Sequence, residues 1–131
     1  MRLYPPAWIL DRRAEGDDEI CGYRVPAGTR IFLSPWATHR HPRYWDDPEV
    51  FDPDRFTPAR AEGRPAFAYF PFGGGPRICI GNAFAMMEAQ LILAMIAQRF
   101  RLELEPGARI EPEQGITLRP SPSLPMMLRE R

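Results

Sequence analysis

The chain has 131 residues, with 17 basic against 17 acidic side chains and a formal net charge of zero, which excludes an electrostatic pull toward nucleic acid or an anionic membrane. The length fits one domain at most. Sixteen prolines, about 12% of the chain against an ordinary share of about 5%, exclude a fold made mainly of regular elements, and so few elements in a chain of this size read as a piece of something larger.

In chain order, the first predicted unit is a β-hairpin in "DEICGYRVPAGTRIFLS", residues 18 to 34, with strands at Ile20 to Arg24 and Arg30 to Leu33. Pro26 sets φ at the corner and Gly28 closes a type I turn. Cys21 then falls in a strand, where a small apolar packing role is expected. Ser34 followed by Pro35 is an N-cap and a first-turn proline, so "PWATHRH" begins a short helix that Pro42 ends. Residues 44 to 70 carry prolines at 48, 53, 58 and 65 and no sustained periodicity, which fits an ordered meander or a disordered segment. The aromatics Trp45, Phe51, Phe56, Phe67 and Phe70 argue for order, because disordered segments are poor in them.

Asn82 to Phe100 is predicted as a helix about 28 Å long at about 1.5 Å per residue. It is apolar on nearly every face, which places it in an interior. The most apolar run, Ala83 to Ala97, falls short of the roughly 20 residues a bilayer span needs, and Glu88 and Gln90 interrupt it. Alternation at Arg101 to Glu105 and Ile116 to Arg119 predicts short strands, with turns at Pro106-Gly107 and Pro120 to Pro125. There is no internal repeat.

All 17 basic residues are arginine, which points to GC-rich codons and a bacterial source. Two cysteines make no disulfide framework and no leader opens the chain, so a reducing cytoplasmic setting is the default expectation. Neither the cysteines nor His39 and His41 show zinc-ligand spacing. The three glycines at 73 to 75 lack the Lys-Ser/Thr ending of a phosphate-binding loop, with Pro76-Arg77 standing there instead.

Those glycines let a flat ligand approach the main chain. Cys79 lies just before the predicted helix, whose unpaired N–H groups and dipole favour a thiolate, a metal ligand or nucleophile. Arg77 adds a guanidinium suited to a carboxylate. Iron and two propionates are what haem offers to such a loop.

"FGGGPRICIG" resembles F-x-x-G-x-R-x-C-x-G, the haem-binding loop of the cytochrome P450 family, with Phe72, Gly75, Arg77, Cys79 and Gly81 in register and Ala85 as the small residue that follows. "PDRF", residues 53 to 56, is similar to the family's meander signature, and "RLYPPAW" to the segment after its E-x-x-R helix. Arg2 looks like the arginine of E-x-x-R, so the chain is read as truncated within that motif, a C-terminal part of one P450 domain spanning 1–131. The fold class this implies is α+β and mainly irregular: hairpin, meander, Cys-ligand loop, long buried helix and short C-terminal strands.

By resemblance, Cys79 is the catalytic and metal-ligating residue, binding the iron of haem b (iron protoporphyrin IX) as a thiolate. Phe72, Gly75, Arg77, Gly81, Ala85 and Arg12 are cofactor-binding residues, with Arg77 and Arg12 on the propionates. Backbone N–H groups from Ile80 and Gly81 onward would donate to the sulfur. Arg2 and Arg55 are structural, interlocking in the family with the E-x-x-R glutamate. His39 and Arg40 are open to a propionate, capping or surface role.

The implied activity is O2-dependent hydroxylation of an apolar, fatty-acid-like substrate by a haem-thiolate monooxygenase. Its electrons would come from a ferredoxin, flavodoxin or flavin reductase, with Arg60 and Arg64 as docking candidates. These residues alone are expected to be inactive. The alternatives are a non-catalytic haem-binding fragment or remnant, and a haem-thiolate peroxygenase or isomerase.

Overall fold

The computed structural model describes residues 1–131. The chain is a mixed α/β structure that divides into two compact units, Met1–Pro71 and Phe72–Arg131.

In the first unit, β1 (Leu10–Arg13), β2 (Asp18–Ile20), β3 (Tyr23–Val25) and β4 (Arg30–Leu33) form two nested antiparallel pairs. β2 pairs with β3, and β1 with β4 in the register Leu10↔Leu33 to Arg13↔Arg30. This corrects the expected hairpin, whose two strands do not pair with each other. The tight turn is Cys21-Gly22, with φ of 52° and 84°. Positive φ at both central residues is the type I′ geometry whose twist matches a two-residue hairpin. Cys21 is therefore an exposed turn residue and not a packed strand residue. Around Pro26, Thr29 N–H donates to the Pro26 carbonyl at 3.1 Å and Gly28 has φ of 83°. A positive φ at the third position belongs to a type II turn, not type I.

Ser34 caps α1 (Pro35–Thr38), its hydroxyl accepting from Ala37 N–H at 3.2 Å. The helix ends at Thr38, before Pro42. The meander is ordered. A 3-10 turn at Pro53–Phe56 is capped by Asp52, α2 spans Pro58–Ala61, and a second 3-10 turn spans Ala66–Ala68.

The core of this unit is small. Trp45, His39, Pro5 and Pro35 are its largest fully buried side chains, joined by Ala68. Trp45 Nε1 donates to the Ala68 carbonyl at 3.3 Å, so both its apolar body and its polar tip are satisfied.

In the second unit, a 3-10 turn at Gly75–Arg77 leads to α3 (Asn82–Arg99), then β5 (Phe100–Leu104), β6 (Glu111–Gln114), β7 (Leu118–Ser121) and β8 (Met126–Glu130). β6 pairs with β7 inside the β5–β8 pair, both antiparallel. The second predicted strand thus starts two residues later than expected, and Ile116 is fully exposed. Glu103 is shared by Arg101 at 3.4 Å and Arg129 at 2.7 Å.

The expectation of a long buried helix is overturned. α3 starts where predicted and ends at Arg99, one residue short of the expected Phe100, yet none of its residues is buried. Phe84, Leu91, Leu93 and Met95 are each 58–64% exposed. Its apolar side chains run around the whole circumference, and within this unit they stay largely exposed, only Ile96 among the large ones being half-buried.

Candidate functional site

Two groups of predicted residues can be followed in the structure. The first is the arginine frame around Trp45. Arg2, 5% exposed, donates from Nη1 to the carbonyls of His39 at 2.9 Å and Pro48 at 2.6 Å, and from Nη2 to Val50 at 2.8 Å. Its guanidinium carbon lies 5.1 Å from the Trp45 ring centre, a cation–π distance. Arg55, also 5% exposed, donates from Nη2 to the Asp47 carbonyl at 3.1 Å. Its Nε is buried without a hydrogen bond, the nearest carboxylate oxygen being that of Asp52 at 3.7 Å. Desolvation holds the Arg2 guanidinium below its ordinary range, with the charges of Arg55 and Arg40 adding to it.

His39 closes this frame. It is fully buried, and its Nε2 accepts from Phe70 N–H at 2.9 Å, which assigns the proton to Nδ1, where no partner is found. Burial pushes its pKa down to about 4. A surface role is thereby removed for His39. Its backbone N–H caps α1 on the carbonyls of Ala37 and Pro35. Arg40 instead stacks 3.5 Å from the Trp36 ring centre and pairs with Glu49 at 3.1 Å.

The second group is the glycine-cysteine loop. Gly73 and Gly75 have φ of 75° and 68°, values that favour glycine. Cys79 N–H donates to the Phe72 carbonyl at 3.0 Å and Asn82 N–H to the Cys79 carbonyl at 3.3 Å, closing the loop on the start of α3. A side chain at Gly81 would come within 3.9 Å of the Cys79 sulfur, so the sulfur lies beside the Gly81 backbone. Gly75, Arg77, Cys79 and Ala85 are nevertheless exposed, while Phe72 and Gly81 are half-buried. In the first unit, Arg12 is half-buried on β1 and donates to its neighbour's carbonyl, Asp11, at 2.7 Å.

Residues 1–126 match the family described as Cytochrome P450. The chain belongs to the cytochrome P450 family. It is 43% identical over 130 residues to the putative cytochrome P450 132 of Mycobacterium tuberculosis, covering 99% of this chain and 28% of that protein. Against human cytochrome P450 4V2 the identity is 42% over 132 residues, covering all of this chain and 25% of the relative. Among solved structures, the cytochrome P450DA heme domain superposes with a TM-score of 0.92 at 35% identity, covering 99% of this chain and 29% of that one. The retinoic acid-bound cyanobacterial CYP120A1 gives 0.92 at 36%, covering 99% and 30%. The chain thus spans little more than a quarter of the length of the P450 proteins it matches, and the relatives include bacterial and eukaryotic members.

Family membership does not bring a finished site with it, and here several expectations are corrected. A ligand of haem size is held by burying most of its surface between largely apolar walls. Here Cys79 is exposed, Ile78 and Ile80 beside it are 50% and fully exposed, and the apolar residues of α3 are bare. No group of three or more His, Cys, Asp or Glu is placed to hold a metal ion, so coordination would rest on one solvated sulfur. As arranged in this chain, these residues do not fit iron protoporphyrin IX. The Cys-ligand pocket, the haem b cofactor bound through Cys79, the iron and metal-binding terms, and the haem-thiolate monooxygenase function are not supported, and the recognition is limited to family and fold. The physical reason is missing enclosure, which a ten-residue motif cannot supply by itself. No helix is long and apolar enough to cross a membrane.

Proposed function

We propose that these 131 residues are the C-terminal portion of a single P450-type domain and that, by themselves, they are a non-catalytic remnant of that fold. The observation that carries this reading is the exposure of Cys79 at the foot of an unburied α3. A reactive centre must exclude water and preorganise its surroundings, and neither condition is met around that sulfur. In the second unit, Phe72, Gly75, Arg77, Cys79, Gly81 and Ala85 line the loop that further polypeptide would have to cover before it became a site; Arg12, on β1 of the first unit, is the other residue assigned to the cofactor by resemblance. Arg2 and Arg55 hold the meander within the first unit. An electron donor and a small apolar substrate are partners we assign only to a whole domain, in a bacterial cytoplasm.

The test supplies the purified chain with iron protoporphyrin IX, a reductant, O2 and a long-chain fatty acid, and follows oxygenated product. The expected result is no reductant-dependent product above the free-cofactor control. Sustained, reductant-dependent formation that requires the chain would overturn the reading.

A further inference from the structure

In the first unit, a cavity of about 290 Å³ is lined by four arginines, Arg43, Arg55, Arg60 and Arg64, with Trp45 in its wall. Two carboxylates, Asp46 and Glu62, also line it, and Asp52 reaches Arg60 at 2.6 Å and Arg55 at 3.7 Å. Arg64 has no carboxylate partner. It donates from Nη2 to the carbonyls of Arg55 at 2.8 Å and Arg60 at 3.0 Å, and its guanidinium carbon lies 4.2 Å from the Trp45 ring centre. Arg43 has no side-chain ion pair either, and Arg55 keeps a buried Nε without a hydrogen bond. Desolvation, with the like charges of Arg55 and Arg60, holds Arg64 below its ordinary pKa. Because the family resemblance assigns Arg55 a glutamate partner, it is Arg43 and Arg64, with no carboxylate at ion-pair distance, that call for an anion.

We propose that this arginine-lined cavity beside Trp45 binds a small oxyanion of the phosphate class. Gathering guanidinium groups in a half-buried space is unfavourable unless an anion offsets it. Their planar donor forks match tetrahedral oxyanions two bonds at a time. Trp45 fixes Arg64 from one side, so the fork is partly ordered before an anion arrives.

The test titrates the full chain with inorganic phosphate at constant ionic strength, following heat and amide shifts of residues 43 to 65. Saturable binding is expected. Arg43→Gln, at an exposed position that should not disturb folding, weakens it by about fivefold through loss of one charge-assisted contact. Asp52→Asn keeps the capping oxygen but removes the competing charge, and tightens binding by about threefold. A response that does not saturate, or one left unchanged by both substitutions, overturns the proposal.

Discussion

His39 and Phe70 are joined by a hydrogen bond in which the Phe70 N–H donates to Nε2 at 2.9 Å, and this bond requires the imidazole to be neutral. Protonating Nε2 would set two N–H groups against each other inside a fully buried site. Burial, with the positive charges of the N-terminus, Arg2 and Arg40 nearby, places the folded-state pKa at about 4 against an ordinary 6.5. The unfolded chain therefore binds more protons between these values, and stability rises with pH there. The contribution is complete above pH 6.5, falls as the solution is acidified and levels off below pH 4. Its full size is on the order of 3 kcal/mol. Denaturant melts from pH 7 to 4.5 should show a slope that His39→Gln, whose side-chain oxygen can accept from Phe70, largely abolishes. Parallel slopes in the two proteins would be evidence against a buried neutral His39.

Arg2 serves three backbone carbonyls at once. Arg2→Ala leaves those acceptors unpaired and should cost about 3 kcal/mol in urea unfolding. Arg2→Lys should recover less than half of the loss, because one ammonium cannot reproduce a planar fork with separated donors. Full recovery by lysine would mean that charge alone matters at this position.

The Cys21-Gly22 turn holds a non-glycine residue at φ of 52°, a region that favours Asn or Gly at this point of a type I′ turn. Cys21→Asn should raise stability by about 0.5 kcal/mol, read as a higher midpoint in thermal unfolding. A lowered midpoint would mean that the thiol makes a contact the turn geometry does not explain.

On α3, Leu93 is 64% exposed. Leu93→Glu should change unfolding free energy by no more than about 0.5 kcal/mol. It should also reduce binding of a hydrophobic dye and slow aggregation of a chain whose net charge is zero. A loss of several times that size would show the helix packed.

What could be read from the residues alone follows physical scale. α3 was legible because an eighteen-residue run dominated by Ala, Met, Leu, Gln and Glu outweighs local ambiguity, and the Ser34-Pro35 start was legible because a cap is a local device. Strand pairing was not, since β1 to β4 are three or four residues each and the pairs are nested. The Cys-Gly turn carries a weaker signal than the nearby Pro-Ala-Gly corner, because Cys is an uncommon residue at a positive φ. Apolarity of α3 states what a surface would bury, whereas burial depends on which neighbours arrive. The loop motif placed Cys79 at the start of the helix, but enclosure is a property of distant residues. His39 in the core left no trace in the pattern, because one histidine beside arginines reads equally well as surface or cap.

The most direct test of the account is the absorption spectrum of the reduced, carbon monoxide-treated chain after addition of iron protoporphyrin IX, recorded with Cys79 intact and with Cys79→Ser. With the sulfur exposed and unenclosed, the two spectra should coincide. A band that appears with Cys79 and vanishes with serine would show that these residues build a thiolate site unaided, and would contradict the account.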